Sequence, residues 1–265
     1  RLYTLYRPHL HSMTSLLSHT IFLLGRGRRF DVWHVHQYGF HAALAVALGK
    51  LLRRPVVLKL TSSSFMGLAS ALAHGYCSNL LAALHRRVAA IVALTRETAA
   101  EAVAFGIPPE RIRILGNGLD TRSFKPADDT GRRQLKQQLG LDDANLAVFV
   151  GRLSEEKNVS GLLRAWAGAQ PKMAGDWRLV VVGDGPLRPA LEAEASALPD
   201  GSGVVFAGQQ ANVADWLAAS SIFVQSSKNE GLSNTMLEAM ATGLPLVVTR
   251  VSGAEELVEE AGSGR

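Results

Sequence analysis

The sequence predicts an α/β fold made of two doubly wound domains, each with a parallel sheet covered on both faces. Three observations point there. Short apolar runs of strand length alternate with stretches at helical spacing along the chain. Several of those runs, such as VVLKL at 56–60 and LAVFV at 146–150, are almost continuously apolar, the pattern of strands buried on both sides. Finally, polarity rises once, over 120–145, and the alternation then starts afresh. The expected domains are 1–125 and 126–265, facing each other across a cleft.

In the first domain, Leu10, Met13, Leu16, Leu17, Ile21 and Leu24 recur at helical spacing, and Arg26, Arg28 and Arg29 follow where cations suit a helix C-terminus. Residues 31–36 (DVWHVH) read as a strand, 42–52 as a helix of small residues and 55–60 as a buried strand, together a β-α-β unit. His34 and His36 share one strand face and lack a third ligand at metal-site spacing, so they are read as core or cleft histidines. Thr61, Ser62, Ser63 and Ser64 follow at the carboxyl end of a strand, where a functional loop belongs; they suit ligand binding or helix capping equally. A helical stretch runs on to about Arg87. A strand at 88–94, a helix at 97–105, a strand at 111–115 and a Gly116-Asn117-Gly118 turn complete the domain.

The second domain opens with a short basic helix at 132–139. Strands at 146–150, 178–182, 204–207, 222–225 and 246–249 then alternate with helices at 159–169, 187–198, 213–218 and 234–241.

Composition sets the bounds. The 265 residues are 47% apolar, enough for two cores of ordinary size. Cys77 is the only cysteine, which excludes an internal disulfide and a cysteine-rich zinc site and fits a reducing, cytoplasmic compartment. No uninterrupted apolar run reaches the roughly 18 residues of a spanning helix. The chain begins at Arg1 without a signal-peptide pattern and stops after an unfinished β-α unit, so a fragment, incomplete at both ends, is expected. Charge is uneven: residues 1–125 hold 16 Lys and Arg against 5 Asp and Glu, a net +11, whereas 126–265 hold 12 against 18, a net −6. The first half is therefore suited to an anionic partner, such as a membrane surface, an acidic acceptor or nucleic acid, or presents a solvated basic face.

Chemistry concentrates in three strand-to-helix loops of the second domain. The stretch 226–238 (SSKNEGLSNTMLE) carries Glu230 and Glu238 on either side of a turn that opens a helix. Ser233 or Asn234 can cap that helix, and the free N–H groups from Leu232 to Thr235 suit a diphosphate. A ligand with a diphosphate in its middle and a hydroxyl-rich group at each end would meet a carboxylate at each end. In 151–158 (GRLSEEKN), Arg152 and Lys157 suit a pyrophosphate, although Arg152 can equally pair with Glu155 or Glu156. The glycines of Gly183-Asp184-Gly185-Pro186 permit a tight turn or close approach to a ligand. No G-x-G-x-x-G follows the first strand of either domain, which disfavours a nicotinamide-dependent oxidoreductase.

Taken in order, VGRLSEEKN, VVGDGPL and EGLSNTMLEAMATGLPLVVT resemble the retaining glycosyltransferases of family 4, which have the GT-B fold of two Rossmann-like domains. The segments DVWHVH, PVVLKL, ALTRET and NGLDTRSFKP look like that family's first-domain landmarks. The resemblance implies a metal-independent hexosyl transfer from a UDP- or GDP-linked sugar to a glycan or lipid-linked acceptor. Neither a cofactor beyond the donor nor a nucleic-acid partner is implied. It implies that Arg152 and Lys157 hold the donor diphosphate, that Glu230 contacts the donor sugar and that Glu238 binds the ribose hydroxyls. Gly231, Leu232, Ser233, Asn234 and Thr235 would offer backbone donors, and the segment from Gly208 to Asn212 would hold the base. Thr61 stands at about the place where many members carry a sugar-contacting histidine, with Ser62 next to it in a hydroxyl-rich loop, and the family's first-domain glycine-rich loop is absent. A GT-B epimerase or phosphorylase, or an impaired relative that binds nucleotide sugar or a partner, remains open on the residues alone. The basic first domain suggests peripheral attachment at the inner face of a membrane.

Overall fold

The structure, a computed structural model, describes residues 8–61, 78–141, 144–199, 203–251 and 253–261. It divides into two compact units, Arg1–Gly116 and Asn117–Arg265, so the segment 117–125 groups with the second unit.

In the first unit the described elements are α1 (Pro8–Gly25), β1 (Trp33–His36), α2 (Phe40–Leu51), β2 (Val56–Leu60), α3 (Ser78–His85), β3 (Ala90–Ala93), α4 (Arg96–Ala104) and β4 (Ile112–Ile114). Their four strands pair in the order β1-β2-β3-β4, every pair parallel. Small residues let α2 lie close on the sheet: Ala42, Ala45 and Val46 are buried against Trp33, Val56, Leu58 and Ile91. Trp33 donates its indole N–H to the Gly27 carbonyl at 3.0 Å, which satisfies the one polar atom of an otherwise apolar anchor. Thr95 caps α4 by accepting from the Thr98 N–H at 3.1 Å.

The second unit holds α5 (Asp129–Gln138), β5 (Asn145–Val150), α6 (Val159–Ala169), β6 (Trp177–Val182), α7 (Arg188–Ser196), β7 (Val204–Gly208), α8 (Val213–Ala219), β8 (Ile222–Gln225), α9 (Asn234–Ala241), β9 (Leu246–Val248) and α10 (Ala254–Ala261). Its strands run parallel in the order β7-β6-β5-β8-β9. Side chains of β5 alternate between two cores: Leu146, Val148 and Val150 enter one with Trp216, Phe223 and Met236, and Ala147 and Phe149 enter the other with Leu163, Trp166 and Val181. A central strand filled on both faces can hold almost nothing polar, which is why 146–150 is a continuous apolar run. Chain order climbs from β5 to β7 on one side and restarts with β8 on the other. The β5/β8 junction is thus the topological switch point, the place where ligands enter an open α/β sheet.

Candidate functional site

Two loops leave the carboxyl ends of β5 and β8 side by side, because those strands pair at Ala147–Ile222 and Val148–Phe223. The loop after β5 turns through a short 3-10 helix, Glu155–Lys157, and reverses at Asn158, whose φ of 50° is left-handed. Asparagine tolerates that conformation better than most residues. The loop after β8 is tied to it: the Ser226 hydroxyl donates to the carbonyls of Lys157 at 2.9 Å and Asn158 at 3.0 Å, and the Lys228 N–H donates to the Glu156 carbonyl at 2.8 Å. Thr249, just past β9, donates its hydroxyl to the Ser227 carbonyl at 2.6 Å.

These ties bring Lys157 and Glu230 together. The Lys157 ammonium donates to Glu230 Oε2, which also accepts from the Ser227 hydroxyl at 3.2 Å. Both charges are largely out of water, with side-chain exposures of 21% and 18%, so the pair is far less screened than a surface ion pair. Arg152 is exposed at the mouth of the same loop and, among the described residues, forms no ion pair with Glu155 or Glu156.

Helix α9 begins beside this pair. Ser233 is its N-cap: its buried hydroxyl accepts from the Met236 N–H at 3.3 Å and donates to Gln225 Oε1 at 2.8 Å. Gln225 Nε2 is buried without a partner among the described residues, a donor that a water or ligand oxygen would satisfy. Asn234 is exposed, and Asn117, from the turn after β4, donates to its Oδ1 at 2.7 Å. Gly231 is buried, and Leu232 and Thr235 are half-buried.

Glu238 lies about a turn into α9, half-buried, and burial pushes its carboxyl above the ordinary glutamate range. A raised folded-state pKa means that ionisation costs stability: the contribution is intact below the unfolded-state pKa and is lost as pH rises through the folded-state value. We therefore expect Glu238→Gln to match the parent's stability in acid and to exceed it at pH 7, measured by urea unfolding across that range. A variant less stable than the parent at pH 7 would show instead that the carboxylate makes a favourable contact.

The G-D-G-P loop has a structural explanation. A Cβ on Gly183, whose φ is +138°, would stand 1.9 Å from the Gly151 carbonyl oxygen, and one on Gly185 would stand 2.4 Å from that of Leu153. The loop therefore packs backbone against backbone beneath the Arg152 loop, joined by the Leu153 N–H to the Asp184 carbonyl at 3.0 Å. Asp184 itself accepts from the Gly185 N–H and from Arg188, which together lower its pKa. Gly208 accepts from the Gly183 N–H at 2.7 Å at the end of β7, two strands from β5, and Asn212, exposed beyond it, donates to Asp215.

In the first unit, Thr61 directly follows β2 and is half-buried, while Ser62 lies outside the described residues. His34 and His36 are exposed, not core, with ring centres 4.6 Å apart. With His19 and His41 they line an open cavity of about 390 Å³. Partial desolvation, with repulsion from His36 and Lys59, lowers the His34 pKa. Among the described residues no group of three potential ligands is placed to hold a metal ion. The sequence reading passed over Gln225, Ser226, Ser227 and Asn117. Each acts through a partner distant in sequence or through a backbone atom, and only the serine pair after an apolar strand marked the place.

Comparison with known proteins addresses the family and the fold. Residues 144–264 match the family described as Glycosyl transferases group 1, and residues 2–123 match Glycosyltransferase Family 4. A lipopolysaccharide core biosynthesis mannosyltransferase, LpsB of Rhizobium meliloti, is 32% identical over 239 residues, covering 88% of this chain and 62% of that protein. The structure resembles Anabaena Alr3699/HepE in complex with UDP, with a TM-score of 0.75 at 22% identity over 95% of this chain and 68% of that one. WaaG, a glycosyltransferase involved in lipopolysaccharide biosynthesis, gives 0.75 at 20% identity over 100% and 71%. The chain spans from about half to three fifths of the length of the curated relatives it matches.

Proposed function

The chain belongs to glycosyltransferase family 4, the group 1 glycosyl transferases with the GT-B fold, and from that premise we propose that it serves a retaining transfer of a sugar from a UDP- or GDP-linked donor to a glycan or lipid-linked acceptor. One observation carries the reading: two loops from opposite sides of a topological switch point converge, placing a Lys–Glu pair, an exposed arginine and the N-terminus of α9 around one spot. Solved neighbours bearing UDP and UDP-glucose support a nucleotide-sugar donor, and relatives named as mannosyl- and kanosaminyltransferases support a hexosyl group.

In this proposal Arg152 and the N–H groups at the start of α9 take the donor diphosphate, and Lys157 turns from Glu230 toward it. The anomeric carbon–oxygen bond breaks as the sugar gains oxocarbenium character, and the diphosphate leaves with the electron pair. Its growing negative charge meets these fixed donors, which therefore bind the transition state more tightly than the ground state. The acceptor hydroxyl forms its bond from the face that the diphosphate vacates and gives its proton to the departing phosphate oxygen, which preserves configuration. Glu230 supports the positive sugar, Glu238 holds the ribose hydroxyls and the Gly208–Asn212 segment faces the base. The basic first unit meets an anionic membrane surface that would carry a lipid-linked acceptor.

Calorimetry tests the donor site. Arg152→Ala is expected to weaken nucleoside diphosphate binding on the order of 1.5–3 kcal/mol, the range for a charge-assisted hydrogen bond. Because Arg152 is exposed, the fold should be unchanged. Unaltered affinity for both UDP and GDP would remove the site from this loop.

A further inference from the structure

A cluster of cationic residues lies in the first unit, at the amino ends of its strands. Lys50, Arg54, Arg87 and Arg111 line a cavity of about 320 Å³ floored by Val46, Pro55, Val56 and Ala89. Lys50 is in the last turn of α2, Arg54 and Pro55 lead into β2, Arg87 follows α3, and Arg111 directly precedes β4. All four cations therefore gather at the amino ends of β2, β3 and β4. Thr61 sits at the carboxyl end of β2, a full strand away, or on the order of 15 Å.

The simplest account of such residues is that they complement helix dipoles, and charge counting shows how far that account reaches. Two helices, α2 and α3, end at this edge, and each C-terminus is worth about −0.5 charge. No carboxylate lines the cavity; Asp31 pairs with Arg54 at 3.1 Å and is itself 95% exposed. Four cations, less one carboxylate and less two half-charges, leave an excess of about +2. Arg87 and Arg111 are exposed and, among the described residues, form no ion pair. The walls are also positioned: Arg54 is held by its N–H to the Gly49 carbonyl at 2.7 Å and by its guanidinium to the Arg28 carbonyl at 2.9 Å. Guanidinium groups fork onto pairs of phosphate oxygens, and the cavity is large enough for a phosphate with a small organic substituent.

We propose that this cavity binds a phosphate dianion or phosphomonoester at a site separate from the donor site. The inference goes beyond the transferase reading and does not rest on it. A free phosphate and the terminal phosphate of a lipid headgroup share the required chemistry.

The test compares the chain with an Arg87→Glu/Arg111→Glu variant and with the milder Arg87→Gln/Arg111→Gln. Titration with inorganic phosphate at low ionic strength should saturate for the parent and weaken at least tenfold in both variants, while nucleoside diphosphate affinity stays unchanged. Sedimentation with vesicles containing phosphatidic acid, against vesicles matched in charge with phosphatidylglycerol, separates the sources. Preference for phosphatidic acid that disappears in both variants assigns the site to a lipid headgroup. Phosphate binding without that preference assigns it to a soluble phosphate. Phosphate binding equal in parent and variants, or no phosphate binding together with equal sedimentation on the two lipids, would overturn the proposal.

Discussion

Glu230→Gln is expected to lower sugar transfer by roughly two to three orders of magnitude, the effect of losing one oriented electrostatic group where charge develops. Nucleoside diphosphate affinity should hold or tighten. The reason is the partner exchange proposed above, since the Lys157 ammonium is paired with Glu230 in the structure. An uncharged glutamine releases that ammonium to the diphosphate and keeps an oxygen for the Ser227 hydroxyl. Binding and turnover therefore move in different directions, which a merely structural ion pair would not produce. Loss of a structural pair would instead appear as lower stability with both kinetic parameters impaired together. Steady-state transfer assays with calorimetry on the same variant decide it; turnover within threefold of the parent would end the assignment of Glu230 to the donor sugar.

The second large effect is on folding. Gly183→Ala is expected to destabilise the second unit by about 3–4 kcal/mol, because a methyl group cannot occupy the space held by a backbone oxygen and the required φ disfavours any side chain. A Cβ at 1.9 Å from the Gly151 carbonyl oxygen would force apart the loops after β5 and β6, and with them the hydrogen bonds from Gly151 to Val182 and from Gly183 to Gly208. Gly118→Ala is the control, since nothing lies within 4 Å of a Cβ there. It should stay within about 0.5 kcal/mol of the parent in urea unfolding. Equal midpoints for the two variants would contradict the packing of the Gly183 loop. Part of any loss of nucleotide binding in Gly183→Ala would follow from displacing Arg152.

The alternation of strands and helices, their placement to within a few residues and the three motif loops were legible in the chain itself. Each is encoded locally: the apolar run at 146–150 declares a strand filled on both faces, and Ser233 before an apolar helix declares a cap. The chain alone determined, through those motifs, the family and the residues worth testing. It left open whether Arg152 pairs with its neighbouring glutamates, whether the glycines of G-D-G-P face a ligand, and whether the basic residues of the first half share a surface. Tertiary structure decided these. Lys157 and Glu230 stand 73 residues apart and meet because β8 crosses back to pair with β5. Gly183 answers to the Gly151 carbonyl, and Lys50, Arg54, Arg87 and Arg111 come from three helix-to-strand connections to one end of the sheet. The physical reason is the range of the forces involved. Propensity, capping and hydrophobic period act over a few turns of chain, whereas the order of parallel strands is settled by which crossovers bury both faces of the sheet at once, and it is that order which brings distant charges together.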